Sequence, residues 1–309
     1  MLVSEAISRI RFQTNTNDDN TGRNVNALFS NKNLVAQFHA CLDQYASYTK
    51  AIEDIFSYSL GKDIRSIPGP TDVIRGEGYR YIYIWRGGRR YSINIKDLNY
   101  TQTRFPYQSY SGIPQFVSIW DKDIYFYPDS STTFQTTTLD GDLSDTATTV
   151  TVASTTGFPD QNGRITINDE KIRYQTKTAT QFLNCSRGVE NTTAILHGGT
   201  STVSENNLFV FYRKRVKRIT VDDNDIIFPS DLALELPIPD EHMLSIIDLT
   251  TYLLLSKLDA ERAEPYKIDA AAFLEQARKD IQWGKSDITG GFMITSPFDW
   301  EVNNTGVTF

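Results

Sequence analysis

The sequence predicts an α+β protein: a helical bundle made by the N- and C-terminal segments, with β-hairpins and an inserted small all-β module. Three observations predict it. Apolar residues recur by threes and fours near both ends of the chain, as on one face of a helix. Between them the period drops to two in short aromatic runs separated by Gly, Asn and Asp. Residues 133–204 then change texture to Thr, Asn, Gly and Asp with brief alternating strands. The expected domains are a core of 1–132 plus 205–284 (helical bundle with β-hairpins), an inserted β-module of 133–204, and an extended C-terminal arm of 285–309.

Val3, Ile7 and Ile10 mark the first helical stripe. A polar stretch, Thr14 to Asn26, reads as a loop. Leu34, Phe38, Cys41, Leu42, Tyr45, Tyr48, Ile52, Ile55 and Phe56 then keep helical spacing, which predicts a helix over 33–60 ended by Gly61 as its C′ residue. Such a rod is roughly 42 Å long and needs another helix to cover its stripe. After Pro68-Gly69-Pro70, the runs 80–85 and 91–95 flank Gly87-Gly88, a hairpin signal. A second hairpin is expected from 116–120 and 124–127 around Asp121-Lys122-Asp123. In the inserted module, 149–152, 164–167 and 171–174 alternate as strands, and a further strand is expected over 208–221. Pro237-Ile238-Pro239-Asp240 announces a helix to about Leu258, and Pro265 suits the first position of another that runs to Gly284. The remaining segment carries Phe292, Met293, Ile294, Phe298, Trp300, Val302 and Phe309. That is too apolar for a solvated terminus, so it is expected to bury these groups on its own body or on a neighbour.

Composition narrows the function. Tyr and Phe number 16 and 17 against 3 Met, which suits strands and permanent interfaces. The net charge of −7 argues against a protein that grips DNA through phosphate contacts over its whole surface. Two distant cysteines, Cys41 and Cys185, give neither a disulfide framework nor metal spacing, and Cys41 falls on an apolar helix face. The chain opens on a polar helix, so no signal peptide is expected, and its apolar run Met243–Leu258 holds Asp248 and Lys257. A soluble protein made in a cytoplasm is expected, with no membrane partner.

No motif spells an active site, so neither catalysis nor a cofactor is expected. His39, His197 and His242 are scattered, without a ligand partner at helical spacing. Gly76-Glu77-Gly78 precedes a strand rather than a helix, which leaves it a turn and not a phosphate cradle. Glu53 with Asp54, and Asp222 with Asp223 and Asp225, are carboxylate clusters of the kind solvated loops and helix faces carry. The sharpest charge feature is Arg213, Lys214, Arg215, Lys217 and Arg218. On a strand these cations point to both faces, which rules out burial without carboxylate partners. Two uses fit: contact with an acidic neighbour or with DNA, or a charged strand that discourages edge-to-edge pairing.

The order of parts carries a resemblance. An N-terminal helix Leu2–Arg11, a polar linker and a long helix come first; Leu236-Pro237-Ile238-Pro239-Asp240-Glu241 later leads into an apolar helix and a charged one with Glu275-Gln276-Ala277-Arg278-Lys279. Over roughly residues 1–60 and 225–284 this resembles the head–tail connector (adaptor) proteins of tailed bacteriophages. The insert is similar to a β-module of phage virion proteins through residues 145–152, 157–159, 165–174, 185–188, 192–194 and 197–199. Simple adaptors lack such an insert. The resemblance implies a virion protein of the neck, made in the host bacterial cytoplasm. It implies a homo-oligomeric ring of about 12 copies bound to the portal protein and to tail (nozzle, tube or fibre) proteins, with dsDNA passing through. The arm residues would then contact portal or neighbour, and the basic strand would be a charged contact. The alternatives are a tail-fibre or baseplate adhesin, to which the predicted helices are foreign, and a wall-degrading hydrolase.

Overall fold

The chain divides into two compact units, one made of Met1–Ile52 with the segment from Lys214 onward, the other of Glu53–Arg213. A computed structural model describes residues 1–16, 29–74, 78–105 and 111–286, with side chains to Ile281. The first elements are α1 (Val3–Thr14), α2 (Asn31–Thr49), β1 (Glu53–Tyr58), β2 (Ser66–Pro68), β3 (Tyr79–Arg86), β4 (Arg89–Ile95) and α3 (Leu98–Arg104). Short strands follow: β5 (Ser111–Gly112), β6 (Phe116–Trp120), β7 (Asp123–Tyr127), β8 (Asp129–Ser130), β9 (Thr136–Thr138), β10 (Val150–Thr151) and β11 (Arg164–Ile167). The rest are β12 (Glu170–Arg173), β13 (Thr176–Lys177), β14 (Gln181–Leu183), β15 (Thr202–Glu205), β16 (Leu208–Arg213), α4 (Pro229–Leu232), α5 (Asp240–Leu255) and α6 (Ala260–Ser286).

In the helical unit, α5 packs against α1, α2 and α6. It can do so because Met243, Ile246, Ile247, Leu254 and Leu255 bury one side of it while α1 offers Val3, Ala6, Ile7 and Ile10. Among the described side chains of α6 only small ones, Ala263, Ala270 and Ala277, are buried, and their spacing of seven allows its backbone a close approach. Polar bonds knit the two ends. The Met1 amino group meets Asp240 at 2.6 Å, Val3 N–H donates to Leu234 O, and Gln13 reaches Asp248 and Thr251. The first turn of α2 is capped by Ser30 and by Asp225, whose carboxylate takes the N–H groups of Asn31 and Lys32 at 2.7 Å each.

Two helix boundaries differ from the sequence expectation. The helix expected over 33–60 stops at Thr49, where Lys50 turns left-handed at φ 55° and its N–H closes on Ala46 O. Residues 53–58 are instead β1, because Ile55 and Phe56 find full backbone partners opposite Phe211 and Val210. Pairing with a distant strand overrides local spacing. The last helix begins at Ala260, ahead of Pro265, since the Asp259 carboxylate accepts the Arg262 N–H and caps the earlier turn.

The second unit overturns the expected fold class. Its main element is a curled seven-stranded half-barrel sheet of order β1-β16-β3-β4-β6-β7-β2, so the molecule is mixed α/β with about 30% strand and not a helical-bundle core bearing hairpins and a small β-module. The hairpins exist: β3–β4 turns on Gly87 and Gly88, both at positive φ, and β6–β7 on Asp121, at φ 56°. They are not appendages, because β16 lies between β1 and β3 and joins everything into one surface. Ile67, Ile82, Ile84, Ile93, Val117, Ile124, Phe126, Leu208 and Val210 form its core.

Between β8 and β16 the chain builds two further sheets, β10-β14-β13 and β12-β11-β15-β9. They share a core of Val150, Val152, Ile165, Ile167, Ile172, Val203 and an aromatic cluster in which Phe182 stands 4.5 Å from Tyr174 and 5.2 Å from Phe158. Gly163 is required here, because a Cβ would run into the Tyr174 ring and hydroxyl, and Tyr174 is itself fixed by its bond to Pro159 O. Gly163→Ala should therefore destabilise this unit by about 1–3 kcal/mol through overpacking. A urea-unfolding midpoint equal to the wild type would refute the close contact.

Candidate functional site

The cations predicted to share one strand do not. Arg213 ends β16 opposite Glu53, and 214–218 lie beyond the strand, which corrects the alternating-face expectation. The Lys214 N–H bonds to Ile52 O. Ile219 N–H donates to His39 Nε2 at 2.8 Å, so the chain is bent onto α2 by a side-chain acceptor instead of a sheet ladder. Burial, then the nearby Arg218 charge, hold His39 below its ordinary value, which keeps that nitrogen free to accept. Lys217 faces Asp231 at 3.4 Å and Arg218 faces Asp43 at 3.1 Å. Burial opposes the Asp231 charge, but the Thr220 N–H and hydroxyl and Lys217 hold the carboxyl below the usual range. Two of the five cations, Lys217 and Arg218, are thus matched by carboxylates of the helical unit. Arg215 has no ion pair among the described residues.

The predicted arm residues Phe292, Met293, Ile294, Phe298, Trp300 and Phe309 lie outside the described residues, as do Gly76 and Glu77. The carboxylate clusters serve structure. Glu53 pairs with Arg80, Asp222 accepts the N–H groups of Asn224 and Ile226 in a local turn, and Asp225 caps α2. His242 bonds Tyr45 Oη through Nδ1 at 2.7 Å. Both cysteines are free and buried, and burial pushes each thiol up to about 11. Among the described residues no group of His, Cys, Asp and Glu is placed to hold a metal, and no helix is long and apolar enough to cross a membrane.

Sequence reasoning missed two buried carboxylates. β1 is an edge strand, and the backbone N–H and C=O of its Ser57 turn away from β16. Glu190 and Lys171 of the insert take them: the N–H donates to Glu190 Oε2 at 2.6 Å and Lys171 Nζ donates to the carbonyl at 2.5 Å. Ser57 Oγ donates to Glu190 Oε1 at 2.6 Å, and Arg164 and Lys171 both pair with that carboxylate, which is 3% exposed. Two charged side chains thus stand where a neighbouring strand would pair. Asn206 and Asn207, both buried between β15 and β16, complete the joint. Asn206 bonds Ser57, Ser59 and Thr166 through its side chain, and Asn207 holds the N–H and C=O of Leu60.

The second carboxylate is Glu170. Arg187 grips both its oxygens at 2.6 and 2.7 Å, His197 Nε2 lies at 2.8 Å, and the N–H groups of Gly188 and Ile195 donate to it. Asn168 Nδ2 lies 3.2 Å from His197 Nδ1, which makes Nδ1 the acceptor and Nε2 the proton carrier. Both residues are fully enclosed, so the pair braces a loop and meets no substrate. Burial alone would raise the Glu170 carboxyl; these five donors reverse that and hold it at about 2. Glu170, Arg187, Gly188 and His197 converge here, although 27 positions separate Glu170 from His197.

Against known proteins, the chain matches no family model and no curated sequence.

The Glu170 cage sets an acid limit. Its depressed folded value means that the stabilisation is complete above the ordinary glutamate value of 4.5 and is lost as pH falls toward about 2. Glu170→Gln should cost about 3–5 kcal/mol at neutral pH by leaving Arg187 uncompensated. The gap in urea stability between variant and wild type should narrow from pH 5 to pH 2. A gap independent of pH would contradict the ionised cage.

Proposed function

We propose that the chain is a structural virion protein, a head–tail adaptor whose copies form a ring between portal and tail and continue the channel for genome retention and ejection. The observation that carries this reading is apolar surface on the helical unit, the unit drawn from the chain ends that resemble adaptors. Phe12 is 87% exposed, Ile268 62% and Leu258 59%. Large apolar side chains on a rigid helical body suit burial against a second surface, and in a ring each subunit offers two different faces to its neighbours. The net charge of −7 per copy suits an acidic bore, along which phosphates slide without sticking. The carboxylates beside Lys217 and Arg218 fit the same picture, since they offset two of the five cations in the basic run. The segment after Gly284, with its aromatic residues, would clasp the portal or an adjacent subunit.

The test mixes the purified chain with its portal protein and examines the mixture by native mass spectrometry and negative-stain microscopy. Annular assemblies seated on the portal are the expected result. Single subunits that leave the portal bare would overturn the reading. Deleting 285–309 should weaken portal binding, and unchanged ring assembly would reject the arm.

A further inference from the structure

Within the sheet unit, the tip of the β3–β4 hairpin and the insert enclose a cavity of about 970 Å³ lined by Trp85, Gln135, Asp160, Gln161, Lys177 and Glu205, among others. Glu205 carries the chemistry. It is only 5% exposed, and its Oε2 accepts the Gln135 N–H at 3.0 Å. Its other oxygen has no hydrogen-bond partner among the described residues, yet it is not sealed from the cavity. An otherwise buried carboxylate thus presents one oxygen to the cavity, where a donor can reach it. Burial pushes this carboxyl above the ordinary value, against the opposing pull of the Gln135 N–H and the Lys177 charge.

Lys177 does not neutralise it by contact. Its ammonium is held by Thr155 O at 2.9 Å, Phe158 O at 2.6 Å and Asp160 at 3.3 Å. Arg86 also lines the cavity, so its walls carry two cations and two carboxylates and no formal net charge. What they offer is closely spaced donors and acceptors beside an indole. Trp85 is part-buried, with the Arg90 guanidinium 5.7 Å from its ring centre. A hydroxyl both donates and accepts, and a pyranose ring adds an apolar C–H face that an aromatic ring can cover.

We propose that this cavity binds a neutral saccharide. The free oxygen of Glu205 accepts from a sugar hydroxyl, the side-chain amides of Gln135 and Gln161 bond its neighbours, and Trp85 covers the apolar face of the ring. The proposal stands apart from the neck reading, since it concerns the sheet unit alone and needs no ring.

The experiment is saturation-transfer NMR on the full chain with glucose, galactose, N-acetylglucosamine and N-acetylgalactosamine, as monomers and short oligomers. At least one probe should bind. Its affinity should fall about tenfold or more in Trp85→Ala, as for loss of an aromatic anchor, and likewise in Glu205→Gln. Trp120→Ala, at an exposed tryptophan outside the cavity, should leave it unchanged. Should Glu205→Gln fail to fold, Gln161→Ala at an exposed position takes its place, with the same expected loss. No saturation transfer from any probe, or binding indifferent to these cavity substitutions, would overturn the proposal.

Discussion

One buried carboxylate, Glu190, controls the open edge of the seven-stranded sheet. An edge strand presents unpaired backbone groups that any other strand can pair with. Here the outward N–H and C=O of Ser57 are taken by Glu190 and Lys171, and Arg164 shares the same carboxylate. The arrangement blocks further pairing at that point and fastens the insert to the sheet. Charges buried this deeply hold only while each has its partners, so loss of one strands the others. The Asn206–Asn207 junction depends on this geometry, because Asn206 bonds the same Ser57 hydroxyl at 2.8 Å.

Much of the local structure was legible in the sequence. Gly87-Gly88 and Asp121 marked the two hairpins because only a few residues tolerate the left-handed turns they need. The stripe Val3, Ile7, Ile10 and the Pro239-Asp240 signal marked α1 and α5. What escaped was everything set by long-range pairing. Ile52, Ile55 and Phe56 extend a helical spacing by coincidence, and nothing local shows that Phe211 and Val210 pair across from the last two. Because β16 slots between β1 and β3 after a long excursion, two apparent hairpins became parts of a single sheet and the expected fold class failed.

The site was harder to read for a related reason. Glu190 sits in an Asn- and Thr-rich turn that looks solvated, and only folding brings Arg164, Lys171 and Ser57 around it. Glu170, Arg187 and His197 lie far apart in the insert, and spacing gave no hint that they meet in one cage. The basic run misled in the other direction. Its alternation assumed a strand, whereas His39 captures the Ile219 N–H and carboxylates on its own unit meet Lys217 and Arg218. The proposed neck role therefore draws on apolar helical surface more than on positive charge.

The most direct test of the clamp is amide hydrogen exchange at Ser57 in the wild type and in Glu190→Gln. Slow exchange is expected in the wild type, although β1 is an edge strand, and much faster exchange in the variant, spreading along β1 and into the insert. Equal protection of Ser57 in both proteins would show that Glu190 does not hold the edge, and would contradict the account.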